Sequence, residues 1–372
     1  MMILDDANKA FFDLLKLGMG LTDSICLPIM DDRKWVKIFE TAKKQTVLGI
    51  MADAIQRLPD DVVKPSYEVM IRLVGYCVQL EKTNRRMNRE VLKWIDFFEN
   101  KGFSTVLLKG QGIATQFYPS PLRRNPGDID LWVIGNGTEI RKLVKEELSP
   151  KEVLYHNSVV HTDSGIELEV HTRPSFFYNP FKNFKAQRLF RRWAMEAVKV
   201  NLPENAGSVS VPSDNMNRIF LLLHLYRHVF SEGIGLRQMA DYALLLNKGC
   251  SDEDKRQCKK WLKSLGLEKF AASVMYLMKV VFGLDDKVLI TEADVKGGVM
   301  LLKECIEGGN FGFYNTSIDR KIKHDSIKSF IVKNKRNLRL IGLYTNEVIW
   351  APYFKVFHYF WRRTVCFFNK NT

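Results

Sequence analysis

The chain has 372 residues, 46% hydrophobic and 26% charged, the balance of a soluble globular protein with room for one large domain or two to three smaller ones. No apolar run approaches the roughly 20 residues that cross a bilayer, acidic residues stand near the start where a secretory signal carries basic ones, and the six cysteines show neither Cys-x-x-Cys nor regular spacing. These features speak against a membrane span, a secretory signal, a disulfide framework and a zinc knuckle, and a reduced, cytoplasmic protein is the expectation.

Residues 1–100 read as a helical region. Apolar residues recur at helical spacing in Ala10-Phe11-Leu14-Leu15 and in Trp35-Ile38-Phe39-Ala42. A longer helix runs from about Tyr67 through Leu80, Met87, Val91 and Trp94 to Phe98, with Gly102 placed to close it. Residues 101–211 change character and read as an α/β region. Phe103 to Leu108 is β-prone and ends at Lys109-Gly110-Gln111-Gly112; a short helix follows from Ile113 to Tyr118. Pro119, Pro121 and Pro126 mark a loop, Asp128 to Ile134 a second strand, and Thr138 to Leu148 a helix. Ser158 to His171 reads as a hairpin turning at Asp163-Ser164-Gly165. Residues 212–372 are helical again, opening at an N-cap on Ser213 or Asp214 and continuing through Leu236–Leu246, Lys255–Leu265 and Phe270–Phe282 to a basic, aromatic tail. The net charge of +14 concentrates there, since residues 316–372 hold 12 Lys and Arg against 3 Asp and Glu. Such a tail attracts phosphate-rich surfaces of any kind, so nucleic acid and peripheral membrane contact are both admitted. Packing onto the helical region is the plainer reading of Tyr353 to Phe368.

The chemistry sits in Gly127-Asp128-Ile129-Asp130-Leu131-Trp132-Val133. In a strand, alternate side chains share a face, so Asp128 and Asp130 project together while Ile129, Leu131 and Val133 face the core. Adjacent carboxylates repel, and a divalent cation resolves the conflict. Mg²⁺ suits one or two protein carboxylates plus substrate phosphates and water. A solvent-facing strand entry is the bland alternative, because isolated Asp-x-Asp sequences are common. Two features sharpen the case. The Lys109-Gly110-Gln111-Gly112 turn lets backbone amides approach a phosphate at a helix start. Glu167 and Glu169 share a strand face with His171, offering the third carboxylate of a two-metal site; Glu169 is preferred and Glu167 is its substitute.

The order strand, Lys-Gly turn, short helix, Tyr118-Pro119, Arg123, then Gly-Asp-Ile-Asp-Leu resembles the polymerase-β-type nucleotidyltransferase superfamily and, within it, a bacterial family of uncharacterised nucleotidyltransferases of about this length. Leu168-Glu169-Val170-His171, Leu222-Leu223-His224 and Gly235-Leu236-Arg237-Gln238-Met239-Ala240-Asp241 resemble that family too, and the likeness spans roughly residues 80–250. The resemblance implies an α+β protein: a nucleotidyltransferase core with a small mixed sheet over 101–211, flanked by N- and C-terminal helical regions. It implies Asp128, Asp130 and Glu169 as metal ligands for two Mg²⁺ ions, and an NTP, ATP first, as substrate with an unidentified hydroxyl as acceptor. Lys109 and Gly110 stand where many members carry Gly-Gly or Gly-Ser, and Arg123 or Arg124 would add a clamp on the triphosphate.

Rival readings explain less. Gly110-x-Gly112-x-x-Thr115 mimics a dinucleotide fingerprint, but both aspartates open their strand rather than end it. A metal-dependent glycosyltransferase using a sugar nucleotide is the main enzymatic alternative; it explains neither the Lys-Gly turn nor Glu169. A nucleotidyltransferase fold that only binds nucleotide or a partner is the non-enzymatic alternative, and the three carboxylates weigh against it. His224 and His228, one turn apart, read as packed or hydrogen-bonded histidines rather than a zinc site, and Arg237 with Asp241 as a helix-surface ion pair.

Overall fold

The computed structural model describes residues 6–60, 62–314, 331, 334–335 and 337–368. Much of the basic tail reading therefore lies outside the described residues. Three helices open the fold: α1 (Asp6–Gly18), α2 (Asp32–Lys44) and α3 (Leu48–Gln56). In α2, Asp31 caps the first turn by accepting the Lys34 N–H, and the spacing of Trp35, Ile38 and Ala42 buries one stripe. α3 is buried almost all round because it passes beneath a loop. A Cβ added at Gly49 would lie 2.0 Å from the Arg123 carbonyl oxygen, so helix and loop meet backbone to backbone. Gly49→Ala is accordingly expected to cost about 1–3 kcal/mol by overpacking, read as a lower urea midpoint; an unchanged midpoint would show that the loop yields freely.

The long helix α4 (Tyr67–Glu99) ends where Gly102, at φ +83°, turns the chain and the Phe103 N–H reaches the Phe98 carbonyl at 3.0 Å. The next strands and helices are β1 (Ser104–Leu107), α5 (Gly110–Phe117), β2 (Ile129–Ile134), α6 (Gly137–Leu148), β3 (Glu152–Val153), β4 (Asn157–His161) and β5 (Glu167–His171). They build one mixed sheet in the order β1-β2-β5-β4-β3, in which only β2 and β5 run parallel. Period-two alternation separates its faces. Leu131, Val133, Leu168 and Val170 pack on Val91, Ile95 and Phe98 of α4 and on Ile140 and Val144 of α6. The opposite face carries Asp130, Trp132, Glu169 and His171. An α+β fold with a small mixed sheet and flanking helices is thus what the chain forms.

After the sheet come α7 (Pro180–Trp193), a ribbon of β6 (Val198–Asn201) and β7 (Ser208–Val211), then α8 (Asp214–Ser231), α9 (Leu236–Asn247), α10 (Asp252–Leu265), α11 (Glu268–Val280), α12 (Val295–Gly308) and α13 (Ile341–Phe368). Ser213 caps α8, accepting the Met216 N–H. The early and late helices share one apolar core, in which Phe11, Leu15 and Trp35 join the same cluster as Phe220, Phe270 and Leu277. Gln45 ties them further, donating to the Cys305 carbonyl at 2.8 Å and accepting the Leu236 N–H at 2.9 Å. Among the described residues no helix is long and apolar enough to cross a membrane.

Candidate active site

Parallel pairing of β2 with β5 sets Asp130 opposite Glu169 and Trp132 opposite His171, all on one face. Asp130 is 3% exposed, a depth that an ionised carboxylate tolerates only with compensation. Compensation comes from the Lys109 Nζ, 2.6 Å from Asp130 Oδ1, and from His171 Nε2 at 3.0 Å. His171 Nε2 also lies 3.1 Å from Glu169 Oε2, and the Asn157 amide donates to that same oxygen at 2.6 Å. Ligand atoms of Asp130, Glu169 and His171 lie within 4.8 Å of one another, close enough to share a metal ion.

The expected site residues divide into those the fold gathers here and those it does not. Asp128 precedes β2, whose first residue is Ile129, so strict strand alternation does not extend to it, and it is not in the 4.8 Å group. It nonetheless feels Asp130, Glu169 and Lys109 electrostatically. Gly110 begins α5 at φ +50°, a conformation that favours glycine, and a Cβ there would approach the Asp128 carbonyl oxygen at 3.5 Å. Gly112 serves packing instead, since its Cβ would meet Val211 Cγ1 at 3.0 Å and the Leu107 carbonyl at 3.2 Å. Glu167 sits two residues toward the hairpin turn, half exposed, with His161 Nδ1 at 3.5 Å.

Arg123 and Arg124, expected on a triphosphate, are both engaged by carboxylates of the helical regions. Arg123 reaches Asp53 at 2.6 Å and Glu81 at 3.0 Å. Arg124 forms a buried bidentate pair with Asp241, both bonds 2.7 Å, and the Tyr118 hydroxyl donates to the same carboxylate at 2.7 Å. Swinging Arg124 to a phosphate would strand Asp241 in the interior, which is costly. Arg237 and Asp241 are therefore not a surface pair: both are buried, and Arg237 Nη1 donates to the carbonyls of Asn125 at 3.2 Å and Pro126 at 2.8 Å. These contacts hold the chain immediately before Asp128. From the other side, Asn84 donates to the carbonyls of Leu122 and Arg124 at 2.7 and 3.0 Å. His224 and His228 meet through their Nε2 atoms at 3.1 Å.

Sequence reasoning placed His171 on the face of Glu169 without giving it a role, and it missed Asn157 and the loop-holding function of Arg237. The alternation of β5 contained the first signal. The other two depend on which strand and which loop are neighbours, and no local pattern encodes that.

The electrostatics fit a site built for a cation. Burial would raise the Asp130 carboxyl, yet Lys109 and His171 overcome it and hold that carboxyl well below the usual range. Burial, then the charges of Asp130 and Glu169, push Asp128 up to about 7. Burial opposes protonation of His171, but its bonds to Asp130 and Glu169 win and raise it to about 9. Lys109 is likewise raised, its desolvation outweighed by Asp130, Asp128 and Glu169. Asp128, Asp130 and Glu169 thus share the site with two cationic groups, the Lys109 ammonium and the His171 imidazolium.

The sequence profile of a family described as uncharacterised nucleotidyltransferases matches residues 31–283. The chain belongs to that nucleotidyltransferase family. Neither the curated proteins nor the solved structures yielded a match. The matched segment includes every residue named at the site above, from Asp53 to Asp241.

Proposed function

We propose that the protein is a Mg²⁺-dependent nucleotidyltransferase that moves an NMP from an NTP, ATP first, to an acceptor hydroxyl and releases pyrophosphate. The observation that carries this reading is the pairing of Asp130 with Glu169 across parallel strands, beside Lys109 and Asp128, in a chain of this family. Oxygen donors from Asp128, Asp130 and Glu169 suit Mg²⁺. Imidazole suits later transition metals better, so His171 is assigned to orienting Asp130 and Glu169 through its Nε2 contacts with both. The Lys109 ammonium, held at 2.6 Å, is evidence that this acidic face retains a cation.

When bound, Mg²⁺ neutralises the triphosphate and makes the acceptor hydroxyl easier to deprotonate. The chain's own residues do the rest. Glu169 takes the hydroxyl proton as the acceptor oxygen bonds to the α-phosphorus. The bond from that phosphorus to its bridging oxygen breaks and pyrophosphate departs. Lys109 and the Gly110 backbone face the leaving phosphates, where positive charge and N–H groups stabilise developing negative charge. His171 and Asn157 keep Glu169 aimed. Calorimetric titration of ATP with and without Mg²⁺ tests the metal site, and α-³²P-labelled NTPs added with a cell extract test the transfer. Binding indifferent to Mg²⁺ together with no labelled product would overturn the reading.

A pH dependence follows for the metal-free protein. Asp128 is raised from 3.8 to about 7 and His171 from 6.5 to about 9, so each contributes stability that is complete below its unfolded value and is lost as pH rises through its folded value. Asp130, being lowered, contributes stability that disappears only in acid below 3.8. His156 and His224, which burial holds well below 6.5, work the other way and add stability as pH rises to about 6.5. Tm of the metal-free protein should therefore fall from about pH 7 to about pH 9. Mg²⁺ relieves the carboxylate crowding, and its Tm gain should be larger near pH 8 than near pH 6; equal gains would contradict the assignment.

A further inference from the structure

A cleft of about 920 Å³ lies at the carboxyl ends of β2 and β5, walled by α7 and α13. This end of parallel strands is where α/β folds take ligands, and the volume is that of a small-molecule site. Trp132 in its floor is in register with His171 and shares the sheet face of Asp130, so the cleft adjoins the reaction face. Its walls are aromatic, with Tyr155, Phe177, Trp350, Phe354 and Phe357 among them. The rim leaves apolar groups in water: Phe184 is 62%, Tyr353 65% and Met195 87% exposed. Apolar surface concentrated at a mouth marks a ligand with an apolar body.

The same cleft has a positive end. Arg173 lines it, with its guanidinium 4.5 Å from the Tyr155 ring centre and donating to the Tyr155 carbonyl at 2.9 Å. Arg141 is anchored beside it by the Thr172 hydroxyl at 3.0 Å. Neither guanidinium has a carboxylate partner among the described residues. Burial, then the charge of Arg173, lowers the Arg141 pKa, so the two cations stand near enough to repel. Arg191, on a helix with five Lys and Arg and no acid, lines the cleft as well. Paired guanidiniums without a counter-charge are what a phosphate-type anion relieves.

We infer that this cleft holds the acceptor, and that the acceptor is an amphiphilic anion: a hydrocarbon chain or ring system in the aromatic cleft, with a phosphate-type group as a handle at Arg173 and Arg141. Its role as acceptor rests on the nucleotidyltransferase reading above; its binding does not. The test uses the full chain without nucleotide or metal, titrated with dodecyl phosphate and with 1-naphthyl phosphate, and with 1-naphthol and inorganic phosphate as controls. These probes carry handle and body but no acceptor hydroxyl, so binding is read apart from turnover. Saturable binding is expected for the alkyl or the aryl phosphate, whichever body the cleft fits, at least tenfold tighter than for either control. Arg173→Ala and Tyr353→Asp should each weaken it at least tenfold. Tyr353 is on the exposed rim, so its variant keeps the test usable should Arg173→Ala fail to fold. No saturable binding of either phosphate, binding indifferent to both variants, or sedimentation with anionic vesicles without binding of the monomeric probes would overturn the inference. Absence of Mg²⁺-dependent NTP binding by the parent protein would overturn the nucleotidyltransferase reading alone.

Discussion

Asp130→Asn is expected to reduce nucleotidyl transfer by roughly 10³-fold or more, since metal stabilisation of transition-state charge is worth several kcal/mol and each 1.36 kcal/mol is a factor of ten. Asp130 is where the metal reading, the Lys109 pair and the His171 bond converge. The substitution also leaves Lys109 and His171 without their principal anion, and some loss of stability accompanies the loss of activity. Glu169→Gln separates the two effects. Its side chain is 20% exposed against 2% for Asp130, so it should fold more nearly as the parent does while still losing transfer. Single-turnover rates with α-³²P-labelled NTP, alongside circular dichroism, provide the measurement. Parent-like rates from both folded variants would remove these carboxylates from the mechanism.

The second large effect is structural. Asp241→Ala should cost about 3–5 kcal/mol, the range for breaking a buried ion pair by removing one partner, because Arg124 is left charged in the interior. The Arg124 guanidinium is raised by Asp241 against its own burial, and the Tyr118 hydroxyl depends on the same carboxylate. A double replacement, Arg124→Leu with Asp241→Leu, should recover much of the loss, since well-packed apolar residues often replace a buried pair neutrally. Urea unfolding resolves both. A loss below about 1 kcal/mol for Asp241→Ala would mean that the pair behaves as an exposed one. The consequence reaches the site: this pair, with Arg237 and Asn84, holds the loop that delivers Asp128, so metal affinity should fall in the same variant.

Local chemistry made much of this legible in advance. Helical spacing marked α2 and α4, Ser213 or Asp214 marked the start of α8, where Ser213 is the cap, and Asp163-Ser164-Gly165 marked the turn between β4 and β5. The alternation Ile129-Asp130-Leu131-Trp132-Val133 separates core from site by periodicity alone. The arginines went differently. Arg123 and Arg124 follow a proline loop near the acidic strand and look like phosphate clamps. Their guanidiniums are instead answered by Asp53 and Glu81 on early helices and by Asp241 on a late one.

By itself, then, the sequence determined the helices α1, α2, α4 to α6 and α8 to α11, the strands β1, β2, β4 and β5, the acidic face, the Lys-Gly turn and the nucleotidyltransferase resemblance, because each is written in spacing over a few residues. Only the tertiary structure decided that β2 and β5 run parallel, which sets Asp130 against Glu169 and brings His171 to both. It alone decided that Asp128 stands just outside the strand, and that α7 and α13 close an aromatic, arginine-ended cleft over the same face. The physical reason is common to all three. Buried charges and apolar walls are satisfied by whichever partners the packed chain brings near, and those partners lie tens to hundreds of residues away in sequence.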